Sequence, residues 1–274
     1  MTDPAASPET ELIRVSDLRK TFHTGGLRPH TVEAVRGISF ALPVGKSLGL
    51  VGESGSGKTT TARICCGLER PTAGEVHVAG YDLGTLTRHP PREFFAKVQM
   101  IFQDPYLSLS PRMLVGEAVG YSLRVRHVPA REREQRVRAA LSRVGLPGAV
   151  RERYPHQLST GQRQRVGIAR AIVSEPELIV ADEPVSSLDV SLQTQILNLL
   201  VDIQQETGVS YLFISHDLAV VGYLCDQVIV MQNGAVVEEG TAAEVLEQPR
   251  TEYTRLLVEA AGIGDDLGAA APSA

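Results

Sequence analysis

Hydrophobic and polar positions run through this chain in two rhythms. From Leu12 to Leu18 they nearly alternate, and Thr31 to Leu42 carries further extended material up to a turn at Pro43-Val44-Gly45, so both stretches predict strands. Short unbroken apolar runs, Leu48 to Val51, Val98 to Phe102, Leu178 to Ala181 and Tyr211 to Ser215, predict buried strands. Glu75 to Ala79, after the turn Pro71-Thr72-Ala73-Gly74, predicts one more. Elsewhere the spacing lengthens to that of helices: Thr59 to Leu68, several segments within Val115 to Val144, and Arg163 to Val173. Arg131 to Arg138 mixes charges of both signs, as the solvated face of a helix does. Strands alternating with helices predict an α/β core. The strand-free stretch before Leu178 reads as a helical insertion spanning about residues 104–170.

One loop in this pattern has a chemistry of its own. Gly52-Glu53-Ser54-Gly55-Ser56-Gly57-Lys58-Thr59 lies between the apolar run ending at Val51 and the helix that begins near Lys58. Its glycines let successive N–H groups turn inward around phosphate oxygens, and the helix adds the positive end of its dipole. Lys58 suits the β and γ phosphates of a nucleotide, and the Thr59 hydroxyl suits Mg²⁺. Thr60 follows in the first turn.

Composition narrows the setting. A net charge of −5 with 5% aromatic residues argues against general nucleic-acid binding. Cys65, Cys66 and Cys225 have no metal-ligand spacing and read as reduced cytosolic thiols. With no apolar run long enough to span a bilayer and no basic-then-apolar leader, the chain is expected to be soluble by itself and to reach a membrane only through a partner.

The other polar candidates sit at strand ends, where open parallel sheets bind their ligands. Asp182 and Glu183 close the run from Leu178. As strand neighbours they are expected to point to opposite sides, Asp182 toward Mg²⁺ and Glu183 toward an attacking water. Gln103, after Phe102, suits a ligand to Mg²⁺ or water, or an ordinary loop amide. His216 fits either a donor to a γ phosphate or a cap for the helix starting near Leu218. Phe22 fits either stacking on adenine or core packing. Ser159 fits the N-cap of the helix that follows.

Leu158-Ser159-Thr160-Gly161-Gln162, placed just before the acidic strand, gives this order of motifs a family. The chain resembles the ATP-binding subunit of an ATP-binding cassette transporter. The resemblance implies one cassette domain over residues 12–257; the small, polar or Ala/Gly-rich ends, 1–11 and 261–274, are expected to be flexible on composition. The resemblance also implies a P-loop nucleotide hydrolase core, an N-terminal antiparallel β subdomain and the helical insertion. It further implies head-to-tail pairing of two cassettes around two ATP molecules, with Phe22 on adenine, Gln103 sensing Mg²⁺ and water, Glu183 as general base and His216 at the γ phosphate. Ser159, Gly161, Gln162 and Asp189 would then act on the ATP held by the other subunit. In the family the signature is usually Leu-Ser-Gly-Gly-Gln. Thr160 in place of the first Gly loses backbone freedom and adds bulk, which favours a different chain over a second copy as partner.

Phe102 to Pro105, Ser108 to Arg112, Glu183 to Val190 and the tail Pro249 to Leu257 are similar to the importers of oligopeptides, dipeptides and nickel. That implies a C-terminal extension at about 241–260, integral-membrane permease partners, an extracytoplasmic solute-binding protein acting indirectly, and a place on the cytoplasmic face of the inner membrane. Some relatives hold an iron-sulfur cluster on cysteines of this extension. Here the extension contains none, so no cluster is expected. A soluble cassette ATPase unconnected to transport, a non-hydrolysing ATP-binding module and a P-loop kinase are the rival readings.

Overall fold

The computed structural model describes residues 11–24, 30–86, 90–104 and 109–262. The ends read as flexible lie almost wholly outside the described residues, as do Pro105 and Ser108 of the subfamily motifs. The chain forms two compact units, residues 1–87 with 211–274 and residues 88–210.

In the first unit an antiparallel sheet runs in the order β2-β1-β4-β5, from β1 (Glu11–Thr24), β2 (His30–Pro43), β4 (Ala73–Val78) and β5 (Tyr81–Asp82). β1 is longer than its alternation suggests. Register shifts between Val15 and Leu18, with Asp17 at φ 46°, insert a bulge that breaks the pattern, and the strand continues through Phe22. Ile13, Val15, Leu18, Val35, Ile38 and Leu42 supply its buried face.

A second sheet centres on β3 (Ser47–Val51). It lies parallel to β8 (Ser210–Ser215) on one side, from Ser47↔Tyr211 to Val51↔Ser215, and parallel to β9 (Gln227–Gln232) on the other. β10 (Ala235–Thr241) returns antiparallel to β9 through a hairpin at Asn233-Gly234, both at positive φ. β3 and β8 are buried at every position, which is why they read as unbroken apolar runs. Helix α1 (Lys58–Cys65) ends before the expected Leu68, because Gly67 turns left-handed and the N–H groups of Gly67 and Leu68 close on the Ile64 and Arg63 carbonyls. Helices α8 (Leu218–Leu224), α9 (Ala242–Glu247) and α10 (Glu252–Ala260) complete the unit. Cys65, Cys66 and Cys225 are buried and in no disulfide. Desolvation pushes Cys65 up to about 12 and raises Cys225 as well.

In the second unit α2 (Phe94–Lys97) leads into β6 (Val98–Ile101), parallel to β7 (Leu178–Asp182) from Val98↔Leu178 to Ile101↔Ala181. Between those strands come α3 (Val115–Val119), α4 (Tyr121–Val125), α5 (Ala130–Arg143) and α6 (Thr160–Ile172); α7 (Val190–Thr207) follows β7. α5 buries Val137, Ala140 and Leu141 and turns its charges outward, where Arg136 meets Glu132 at 2.8 Å and Arg138 meets Glu134 at 2.7 Å. Exposed pairs of this spacing contribute only about 0.3–0.5 kcal/mol each, so the buried stripe holds the helix. Among the described residues no helix is long and apolar enough to cross a membrane.

Candidate nucleotide site

The candidate residues divide between the units. In the first, β3 delivers the glycine-rich loop to the start of α1. Gly52, at φ +145°, has no room for a side chain because a Cβ would be driven into the Met231 carbonyl; Gly57, at φ +104°, would meet the Ala34 carbonyl in the same way. Ser56 C=O accepts from the Gly234 N–H at 3.0 Å, so the β9–β10 hairpin also braces the loop. Lys58 is 5% exposed, and its ammonium donates to the carbonyls of Gly52 at 2.6 Å and Glu53 at 2.7 Å and to the Ser56 hydroxyl at 3.3 Å. α1 starts from Gly57 with no side-chain cap. Glu53, Ser54 and Gly55 are exposed, whereas Thr59 and Thr60 are half-buried in the first turn.

His216 follows β8 and is exposed. The cap of α8 is its neighbour Asp217, whose carboxylate accepts from the N–H groups of Ala219 at 2.8 Å and Val220 at 3.4 Å, which corrects the capping alternative for His216. Phe22 is 36% exposed, which removes the core alternative, and the Lys20 ammonium stands 4.7 Å from its ring centroid.

In the second unit, β7 is buried throughout and ends at Asp182, which is 6% exposed. Strand alternation does not place Glu183: that residue leaves the strand at φ 45°, a left-handed conformation that costs a non-glycine residue about 1–2 kcal/mol. The turn holding it is fixed from behind. The buried Gln164 side chain donates to the Pro184 carbonyl at 2.6 Å, and the Ser186 hydroxyl donates to the Glu183 carbonyl at 3.1 Å. Gln103 donates its amide to the Glu183 carboxylate at 2.9 Å, which turns its amide oxygen away from that carboxylate.

The signature opens α6. Ser159 Oγ accepts from the Gln162 N–H at 3.2 Å, and Gln162 Oε1 accepts from the Ser159 N–H at 3.1 Å, a reciprocal capping box. Thr160 takes an ordinary helical conformation in the first turn, so the expected loss of glycine's freedom does not apply; only its bulk remains, exposed, with its hydroxyl accepting from Arg163 at 3.1 Å. A Cβ at Gly161 would press on Leu192 of α7. Asp189 caps α7 by accepting from the Leu192 N–H at 3.0 Å.

Residues 35–186 of the 274 match the ABC transporter family model. The chain belongs to the ABC transporter family. Among its relatives are the oligopeptide transport ATP-binding proteins OppF of Salmonella typhimurium, 48% identical over 86% of this chain and 72% of the relative, and of Bacillus subtilis, 46% identical over 93% and 84%. Among solved structures it is similar to the dimeric ATP-binding cassette MJ0796 in a post-hydrolysis state bound to ADP and phosphate, with TM-score 0.74 and 28% identity over 84% of this chain and 98% of that one.

Three residues of this ABC cassette escaped the sequence reading. Asp217 had a legible signal, an acidic residue directly before an apolar helix. Gln164 had none, because a buried glutamine inside a helix looks like any surface amide. Tyr253 also had none: its hydroxyl accepts from the Glu53 N–H at 3.0 Å across 200 residues of sequence.

Proposed function

We propose that this chain is the ATP-binding and ATP-hydrolysing subunit of an importer of oligopeptides or dipeptides. The observation that carries hydrolysis is the pair at the end of β7, a glutamate in a forced backbone conformation whose carboxylate is oriented by the Gln103 amide. In that role Glu183 takes a proton from, or orients, the water that attacks the γ phosphate, a contribution of about a hundred- to ten-thousand-fold. Lys58 exchanges its loop carbonyls for β and γ phosphate oxygens, and the uncapped start of α1 offers its N–H groups to the same oxygens. Thr59, Asp182 and the amide oxygen of Gln103 are each hard oxygen donors of the kind that suits Mg²⁺, and an ion held by them would neutralise charge on the phosphates. His216 donates to the γ phosphate, and Phe22 stacks on adenine.

Ser159, Gly161, Gln162 and Asp189 serve the ATP of a second cassette, and nucleotide favours the closed pair until hydrolysis releases it. That second cassette is a different chain, since the bulk of Thr160 is best tolerated where only one of two sites carries it. The peptide cargo rests on what the OppF relatives are named for. Multi-span permeases hold the pair at the cytoplasmic face of the inner membrane. Cargo arrives through an extracytoplasmic binding protein.

Two experiments test this reading. Glu183→Gln keeps ATP affinity and loses turnover by about two to four orders of magnitude; near-normal turnover would remove Glu183 as the base. Tagged in its native cell and purified from gently solubilised membranes, the chain brings down permeases and a second cassette. Recovery with ribosomal or DNA-repair proteins instead would sink transport and leave a soluble ATPase.

A further inference from the structure

The tail Pro249 to Leu257 has no task in that mechanism, yet the first unit is built to hold it. The buried carboxylate of Glu238, in β10, accepts from the backbone N–H groups of Arg250 at 2.8 Å and Thr251 at 3.0 Å. Burial raises this carboxyl, but the Thr254 hydroxyl and those N–H groups outweigh it and hold the group below the ordinary glutamate range. Thr251 then caps α10, its hydroxyl accepting from the Thr254 N–H at 3.1 Å. Anchored at its start, the helix carries the half-buried Tyr253 to the phosphate loop, where the phenol oxygen takes the Glu53 N–H at 3.0 Å.

That N–H belongs to the same peptide unit as the Gly52 carbonyl, the acceptor of Lys58 at 2.6 Å. One amide plane is therefore gripped at both ends, Lys58 on its oxygen and Tyr253 on its nitrogen. It needs a grip because Gly52, free of a Cβ, gives that plane rotational freedom that other residues lack. When Lys58 moves to a phosphate, the oxygen end is released and the nitrogen end alone keeps the plane in place.

We propose that Tyr253 is a positioning residue of the phosphate loop, holding the Gly52–Glu53 amide in the orientation from which Lys58 and the following N–H groups meet the nucleotide. The inference rests on the nucleotide reading and assigns the tail a part in ATP binding.

The test is Tyr253→Phe in the full chain, with Tyr223→Phe as the control for losing a phenol elsewhere. ATP affinity is measured by titration of the chain, and KM and kcat in the purified membrane complex. Loss of one hydrogen bond predicts an ATP Kd and KM raised about three- to tenfold, with kcat unchanged and the thermal midpoint lowered by no more than about 2–4 °C. Glu238→Gln, which loosens the anchor while leaving the phenol in place, shifts KM the same way and by less. A KM that stays at the wild-type value in Tyr253→Phe overturns the inference, as does a loss of kcat with thermal midpoint at constant KM, the mark of a purely structural role. Wild-type chain that binds no ATP overturns the nucleotide reading and this inference with it.

Discussion

The phosphate loop and the signature segment each feed a strand of backbone into a helix N-terminus, and they finish that terminus in opposite ways. α6 begins with its orphan N–H groups answered locally, Ser159 and Gln162 serving each other within one turn. α1 begins from Gly57 with no side-chain cap, and its loop is shaped instead by groups distant in sequence: the Ala34 and Met231 carbonyls, the Gly234 N–H and the Tyr253 hydroxyl. A self-capped helix start is stable on its own terms. One left without a side-chain cap must have its shape imposed by the surrounding fold.

The sharpest way to break this contrast is Gly57→Ala. A methyl group at φ +104° facing the Ala34 carbonyl costs about 1–3 kcal/mol of backbone strain before any clash is relieved. ATP affinity is expected to fall at least about tenfold. Unchanged affinity in an equilibrium titration would show that the loop's shape is not imposed from outside. Next in size is Ser159→Ala, which removes a cap worth about 1 kcal/mol. It should lower the thermal midpoint by about 2–4 °C while leaving ATP affinity at the chain's own loop untouched.

Thr160→Gly separates backbone from bulk. Because the position is already helical, its thermal midpoint should move by no more than about 2 °C, while turnover of the assembled pair rises. Equal or lower turnover would acquit the side chain.

The smallest effect is that of pH. The capping box of α6 is neutral, whereas the tail behind the phosphate loop hangs on Glu238, whose folded pKa lies below its ordinary value. A depressed carboxyl stabilises the fold fully above the unfolded value of about 4.3, and that contribution fades as pH falls through the folded value. Unfolding curves for wild type and Glu238→Gln are therefore expected to converge as pH falls below about 4. A constant gap would mean that Glu238 carries no such linkage.

What the sequence discloses follows the same division. The fold class was legible because β3, β7 and β8 are buried at every position and so print as apolar runs. The cap at Ser159 was legible because both partners lie three residues apart. β9 and β10 went unread although Asn233-Gly234 marks their hairpin, since Glu238 is a charged residue turned inward and spoils the alternation of β10. Glu183 reads as a strand-end residue because it closes the apolar run from Leu178. Its left-handed backbone is set by Gln164 and Ser186, contacts that no local pattern announces. Tyr253 was visible as part of a tail, and invisible as a neighbour of Glu53, for the same reason.

The three cysteines have a practical consequence. Thiolate is the form that reacts with labelling reagents, and Cys65 and Cys225 are both sequestered and shifted away from it. The native fold is thus chemically silent toward such reagents, and any slow modification counts the molecules that have opened. A single cysteine placed at Val190, which is 80% exposed, would report against that dark background without removal of the native three.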